Sequence, residues 1–248
     1  MKKFLAGAAA AAAILAPAMA SAETTAVVGI QYGNTDIDSF DFDAYGINGA
    51  FNHNFSNGTY VQMDAAADRI DAGGCCLDSS YAAVHYGMRN ENYSFGGFVS
   101  LDDLFIYSGL GIGLEGQWYT SNMVFNGSVA NYDFSDLDAS TTSVTVDGSY
   151  FFTPDFSITG RATFADDELY GDDVTLWGIG GEYRFTGQPF SIELGYRQAD
   201  VFDDDVTSWT IGFNIDLGAD SLYDRATSGP SQTGASYGNQ LLTLSPSP

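Results

Sequence analysis

The residues of this 248-residue chain that could do chemistry are two histidines, two cysteines and 32 acidic side chains. A histidine acts as a general base only with a nucleophile and an orienting group in reach. His53 stands beside the turn-like run Phe55-Ser56-Asn57-Gly58, and His85 shares a face with polar residues. Neither has a serine at a defensible spacing, so both read as hydrogen-bonded structural histidines and no catalytic residue is expected. Gly111-x-Gly113-x-x-Gly116 matches a dinucleotide pattern but sits inside a strand pattern with no helix after it. Cys75 and Cys76 are adjacent, and neighbouring Cα atoms stand ~3.8 Å apart, shorter than ordinary disulfide spans. A strained disulfide, free thiols and an intermolecular bridge all stand as readings of the pair. No nearby histidine completes a metal site with them. Asn34-x-Asp36-x-Asp38 begins like a calcium loop but lacks the glycine and the closing glutamate. The acidic segments therefore read as a solvated anionic rim, with no cofactor and at most loosely bound Ca²⁺ or Mg²⁺.

Composition narrows the setting. Charged residues are 16% of the chain, below the ~25% of an average soluble domain, yet the net charge is −24. That balance excludes nucleic acid as a partner, because phosphates need Lys and Arg. Thirty-six aromatic residues exclude a disordered chain. Residues 1–22 read as a cleaved signal peptide: Lys2-Lys3, an alanine-rich apolar run, then Ala20-Ser21-Ala22. The mature chain keeps no lysine and six arginines (Arg69, Arg89, Arg161, Arg184, Arg197, Arg225) against 32 acids, a net charge of −26. None of its apolar runs approaches the ~20 residues of a membrane helix.

Period-two alternation dominates what remains. Trp209, Ile211, Phe213, Ile215 and Leu217 alternate with Ser208, Thr210, Gly212, Asn214 and Asp216. Twelve such stretches lie near 24–33, 44–54, 59–68, 80–89, 93–100, 108–118, 122–131, 141–152, 156–164, 174–185, 190–198 and 206–217. Most run about ten residues, the length of a tilted membrane strand. Their connections alternate as well. Five are short and turn-like, such as Thr153-Pro154-Asp155 and Thr186-Gly187-Gln188-Pro189. Six are longer and hold or flank 20 of the 26 aspartates, among them an acidic rim of Asp166, Asp167, Asp172, Asp173, Asp203, Asp204 and Asp205.

Sorting of this kind is the mark of a closed antiparallel transmembrane β-barrel, all-β, with about twelve strands. Short turns belong on the periplasmic side and long acidic loops outside, with both termini periplasmic. Aromatics near the short turns fit a lipid-interface girdle: Phe55, Tyr60, Tyr93, Trp118, Tyr119, Phe151, Phe152, Phe156, Phe185 and Phe190. The chain then divides into a signal peptide (1–22), the barrel (23–217) and a C-terminal periplasmic tail (218–248) rich in Ser, Gly and Pro.

Over 23–217 the chain resembles bacterial outer-membrane β-barrel proteins, and loosely the small porin-like proteins among them. Thr210, Gly212, Ile215 and Leu217 fit the polar-x-Gly-x-x-apolar-x-apolar pattern of a closing strand. The resemblance implies the outer membrane, its lipid and lipopolysaccharide, and the barrel-assembly machinery as partners. The chain departs from it by continuing past that strand. The alternating faces put Gln31, Asp64, Arg89, Glu115, Asp147, Arg161, Glu182, Arg184, Glu193 and Arg197 in the lumen, with Gly109, Gly111 and Gly113 leaving room on one wall. Asp147 and Arg161 are equidistant from the turn centred on Pro154 and should face each other. The expected function is passive diffusion of small solutes, biased to cations or neutral molecules. The alternative is a non-conducting structural or adhesive barrel acting through its acidic surface.

Overall fold

The computed structural model describes residues 24–37, 40–72, 75–104, 107–134, 137–167, 172–201 and 204–231. The signal peptide reading at 1–22, Asp38, Asp203 and the 232–248 part of the tail lie outside the described residues. Twelve strands follow one another: β1 (Thr24–Ile37), β2 (Phe40–Asn54), β3 (Thr59–Ala72), β4 (Cys75–Arg89), β5 (Tyr93–Leu104) and β6 (Tyr107–Tyr119), then β7 (Met123–Phe134), β8 (Ala139–Thr153), β9 (Phe156–Asp167), β10 (Asp172–Arg184), β11 (Phe190–Val201) and β12 (Asp204–Leu217). Each pairs antiparallel with its neighbours in sequence, and β12 closes on β1 from Ala26↔Leu217 to Ile37↔Val206. Among the described residues no helix is long and apolar enough to cross a membrane.

The pleat sends alternate residues to opposite faces. Outward positions carry large apolar side chains open to the surroundings, such as Ile112 at 63% exposure and Leu194 at 57%. Exposed on this scale all round a wall, such a surface needs lipid against it. Inward positions are polar or small and mostly buried: Gln31, Asp64, Glu115, Thr145, Ser191 and Asn214. The girdle splits by the same rule. Phe55, Tyr93, Trp118, Phe152, Phe185 and Phe190 are exposed, and Phe156 is half-buried. Tyr60, Tyr119 and Phe151 are buried inside the barrel and do not belong to the girdle. Tyr60 shares a face with Gln62 and Asp64, Tyr119 with Gln117, and Phe151 with Asp147.

Connections at the acidic end are shorter than the alternation suggests. β3 runs to Ala72 and β4 starts at Cys75, so most of 68–79 is paired strand. Asp167 pairs with Asp172, Asp166 with Asp173, and Asp200 with Asp205. The cause is solvation. A strand that has left the hydrocarbon no longer needs an apolar outer face, so the pattern fades while the backbone ladder continues.

Residues 218–231 do not form a free tail. Gly218 takes a left-handed φ of 87°, and a Cβ there would stand 2.5 Å from the carbonyl oxygen of Thr24, so a glycine is needed where the chain turns back. A short helix, α1 (Leu222–Ser228), then packs against inward residues at the short-turn end.

Cys76 is a free, exposed thiol at the acidic end, where it pairs with Asp71. With the acidic end outward, a membrane-impermeant maleimide added to intact cells should label the chain, and Cys76→Ser should lower the signal. Labelling that requires permeabilised cells would invert the orientation.

Candidate functional site

The barrel interior is the site, and its two walls differ. On one side Tyr60 from β3 lies across two small inward positions, Gly87 of β4 and Gly96 of β5. A Cβ on either would come within 2.7 Å of the Tyr60 side chain. The Tyr60 hydroxyl reaches Glu115 of β6 at 3.2 Å. Beneath it, His85 bridges two carboxylates with no exposed surface: Nε2 is 2.9 Å from Asp64 and Nδ1 is 2.8 Å from Glu115. Gln62 donates to Asp64 at 2.9 Å, and the Arg89 guanidinium sits 4.7 Å over the Tyr60 ring. Both His85 nitrogens are engaged by carboxylates, so neither is free to activate a hydroxyl.

Gly109, Gly111 and Gly113 do not leave open room. A Cβ on each would stand 2.6, 2.7 and 2.5 Å from the rings of Phe134, Tyr132 and Phe98 respectively. The glycines are the seats on which inward aromatics lie. Phe98, Tyr132 and Phe134 join Leu176, Val174, Ala199 and Val206 in one buried apolar cluster inside the barrel.

The other wall holds the mixed charges. Asp147 and Arg161 are register partners across β8 and β9, with Nη2 3.5 Å from Oδ2. Asn126 donates to the same aspartate. Arg161 and Arg197 both pair with Gly178 of β10, from β9 and β11. Glu182 and Glu193 face each other across β10 and β11. Ser191 and Asn214 donate to Glu182. Arg184 turns to the short-turn end, where its Nε donates to the Gln188 carbonyl at 2.9 Å. On the other side, Gln31 donates to Asp68 at 2.8 Å.

All ten expected lumen residues thus stand on inward faces. A cavity of about 120 Å³ remains beside Asp147, Arg161, Glu193, Arg197, Ser208 and Thr210. Sequence reasoning missed its floor, which is α1 and the residues after it. Arg225 pairs with Glu182 and with Asp216, the latter at 2.9 Å. Burial opposes its charge, but the two carboxylates outweigh burial and hold its pKa above the ordinary arginine value. The usable signal was Arg225 itself, the one cation after residue 217.

At the acidic end Asp166 and Asp173 are exposed opposite each other, and Asp204 and Asp205 lie on the first residues of β12. Among the described residues no group of three His, Cys, Asp or Glu side chains is arranged so that it could hold a metal ion.

No family model and no curated protein matches the chain. Solved structures do. The NanC porin aligns at 12% identity over 76% of this chain and 98% of its own, with a TM-score of 0.60. The KdgM porin aligns at 14% over 75% and 98%, with a TM-score of 0.53. This chain has the fold of an outer-membrane porin. The translocator domain of autotransporter NalP from Neisseria meningitidis also aligns, at 11% identity over 84% and 94%, with a TM-score of 0.51. Identities this low show the fold alone, so activity must be argued from the lumen.

The Asp147–Arg161 pair gives a direct test of that wall. Its side chains are 2% and 13% exposed, between a surface pair and a buried one. A double-mutant cycle with Asp147→Ala and Arg161→Ala should give a coupling of about 1–3 kcal/mol in unfolding free energy. Additive effects would mean that the pair does not form.

Proposed function

We propose that this barrel is a porin-like channel for passive diffusion of small solutes, biased to cations or neutral molecules, and that its interior is closed at rest. The observation that carries this reading is the cavity beside Asp147, Arg161, Glu193 and Arg197, within a wall that faces lipid on its other side. A barrel needed only as a scaffold gains nothing from a hollow lined by charges of both signs.

The cation bias rests on the acidic end. Carboxylates face each other there in register, at Asp36↔Asp41, Asp43↔Asp71 and Asp166↔Asp173. Such pairs repel at short range, and their field concentrates cations over about a Debye length, ~8–10 Å near physiological salt. The KdgM porin has been solved with a disordered oligogalacturonate. A carboxylate-bearing solute of that kind would meet charge of its own sign at the entrance of this chain and be repelled there.

A second reading has an observation of its own. Gln62 and His85 have no exposed surface, and the aromatic rings over Gly109, Gly111 and Gly113 occupy the wall that an open pore would leave clear. That suits a non-conducting structural or adhesive barrel presenting its acidic surface, with outer-membrane lipid and lipopolysaccharide as neighbours and the barrel-assembly machinery needed for insertion.

Planar-bilayer recording separates the two. Reversal potentials in a KCl gradient should indicate cation preference at 0.1 M salt and fade towards 1 M, where the Debye length falls to ~3 Å. Ca²⁺ should weaken the preference by occupying carboxylates. Replacing Asp203, Asp204 and Asp205 together with Asn should reduce it without loss of folding. Anion selectivity at low salt would refute the rim argument, and absence of conductance in every condition would leave the structural reading.

A further inference from the structure

The short-turn mouth is filled by the chain's own residues 218–231, held by a particular set of contacts. Glu182, Glu193 and Asp216 gather on the inner faces of β10, β11 and β12, and Glu182 and Glu193 are direct register partners. Like charges opposed in this way repel. Among the described residues, the guanidinium in ion-pair contact with Glu182 and Asp216 is that of Arg225, delivered from outside the sheet by α1. The wall is therefore completed by a side chain of the returning segment.

The segment itself is poorly suited to stand alone. α1 has seven residues, too few to persist without docking. Ser221 caps it by accepting from the Asp224 amide at 3.0 Å. Its apolar anchors are Leu222, packed with Tyr119, Val124 and Phe151, and the part-buried Tyr223 and Ala226 beside it, the Tyr223 ring standing edge-on to Phe151. The remaining attachments are polar. Asn52 and Asn54 donate to the Ser228 carbonyl at 3.0 and 2.6 Å, and the Ser231 amide donates to Gln62 at 3.0 Å. Gln117 donates to the Ser231 carbonyl at 2.9 Å. Water can replace each of these bonds once the segment withdraws. Leu222, Arg225, Ala226, Pro230 and Ser231 form the floor of the lumen cavity.

We infer that residues 218–231 are a releasable plug, latched by Arg225 between Glu182 and Asp216, and that solutes pass the short-turn mouth only while the segment is out. This rests on the channel reading above. Release also exposes the Glu182, Glu193 and Asp216 carboxylates to the passage, which reinforces a preference for cations on that side.

Two measurements on the full-length chain test the inference and separate it from the channel reading. In a Cys75→Ser, Cys76→Ser background, Ser231→Cys reports plug position through its rate of maleimide labelling in detergent micelles. Bilayer recordings report passage. Arg225→Gln should raise the labelling rate at least tenfold and the open fraction at least fivefold. Leu222→Asp should act in the same direction by a separate contact and stands in if Arg225→Gln fails to fold, folding being judged by heat-modifiable gel mobility. Rapid labelling without the latch substitutions, or rates and open fractions unchanged by both variants, overturns the plug while any wild-type conductance keeps the channel reading. Faster labelling with no conductance in any variant overturns the gating role and the channel reading together.

Discussion

Every backbone N–H and C=O that crosses hydrocarbon must find its partner within the protein, since lipid offers none. For twelve strands in one sheet that condition has one solution, the pairing of β12 with β1 from Ala26↔Leu217 to Ile37↔Val206. Once the ring is closed, each strand has an outer face in lipid and an inner face in a confined space. Parity along the strand then decides the environment of each side chain. Ile211 and Phe213 face out and Thr210 and Asn214 face in because of the pleat, independently of any preference of their own.

Closure also fixes how the interior is filled. Inward aromatics from one strand lie over inward glycines of the next, as Phe98 does over Gly113 and Tyr132 over Gly111. Inward charges pair across the wall, as in Asp64–His85–Glu115 and Asp147–Arg161. The two modes meet on the side of β3 to β6, where His85 lies beside the Phe98 ring. The cavity is left beside Asp147 and Arg161, and the returning C-terminal segment forms its floor.

Strand positions, closure and the inward or outward sense of each residue were legible in the sequence because lipid enforces a two-residue period. The upper ends of the strands were not, because beyond the hydrocarbon the period carries no penalty and Asp166 and Asp173 can face each other in water. Tyr60, Tyr119 and Phe151 were misplaced by proximity to turns, although their parity with Gln62, Gln117 and Asp147 already put them inside. The open wall at Gly109, Gly111 and Gly113 was a fair inference from glycine alone; the rings that cover it come from other strands and are visible only in the register. The docked segment left the faintest trace. A seven-residue helix has little period to read, and its signals were local: Gly218 after the closing strand, Ser221 before Asp224, and a lone Arg225.

The claim on which all of this rests is that the first and last strands are paired in the membrane. Amide hydrogen exchange of the protein in lipid nanodiscs measures it at each residue. Closure predicts that amides of 28–32 in β1 and 211–215 in β12 exchange as slowly as those of 110–114 in β6. Exchange at β1 and β12 faster by orders of magnitude, with β6 still protected, would reveal two free edges and contradict the closed barrel.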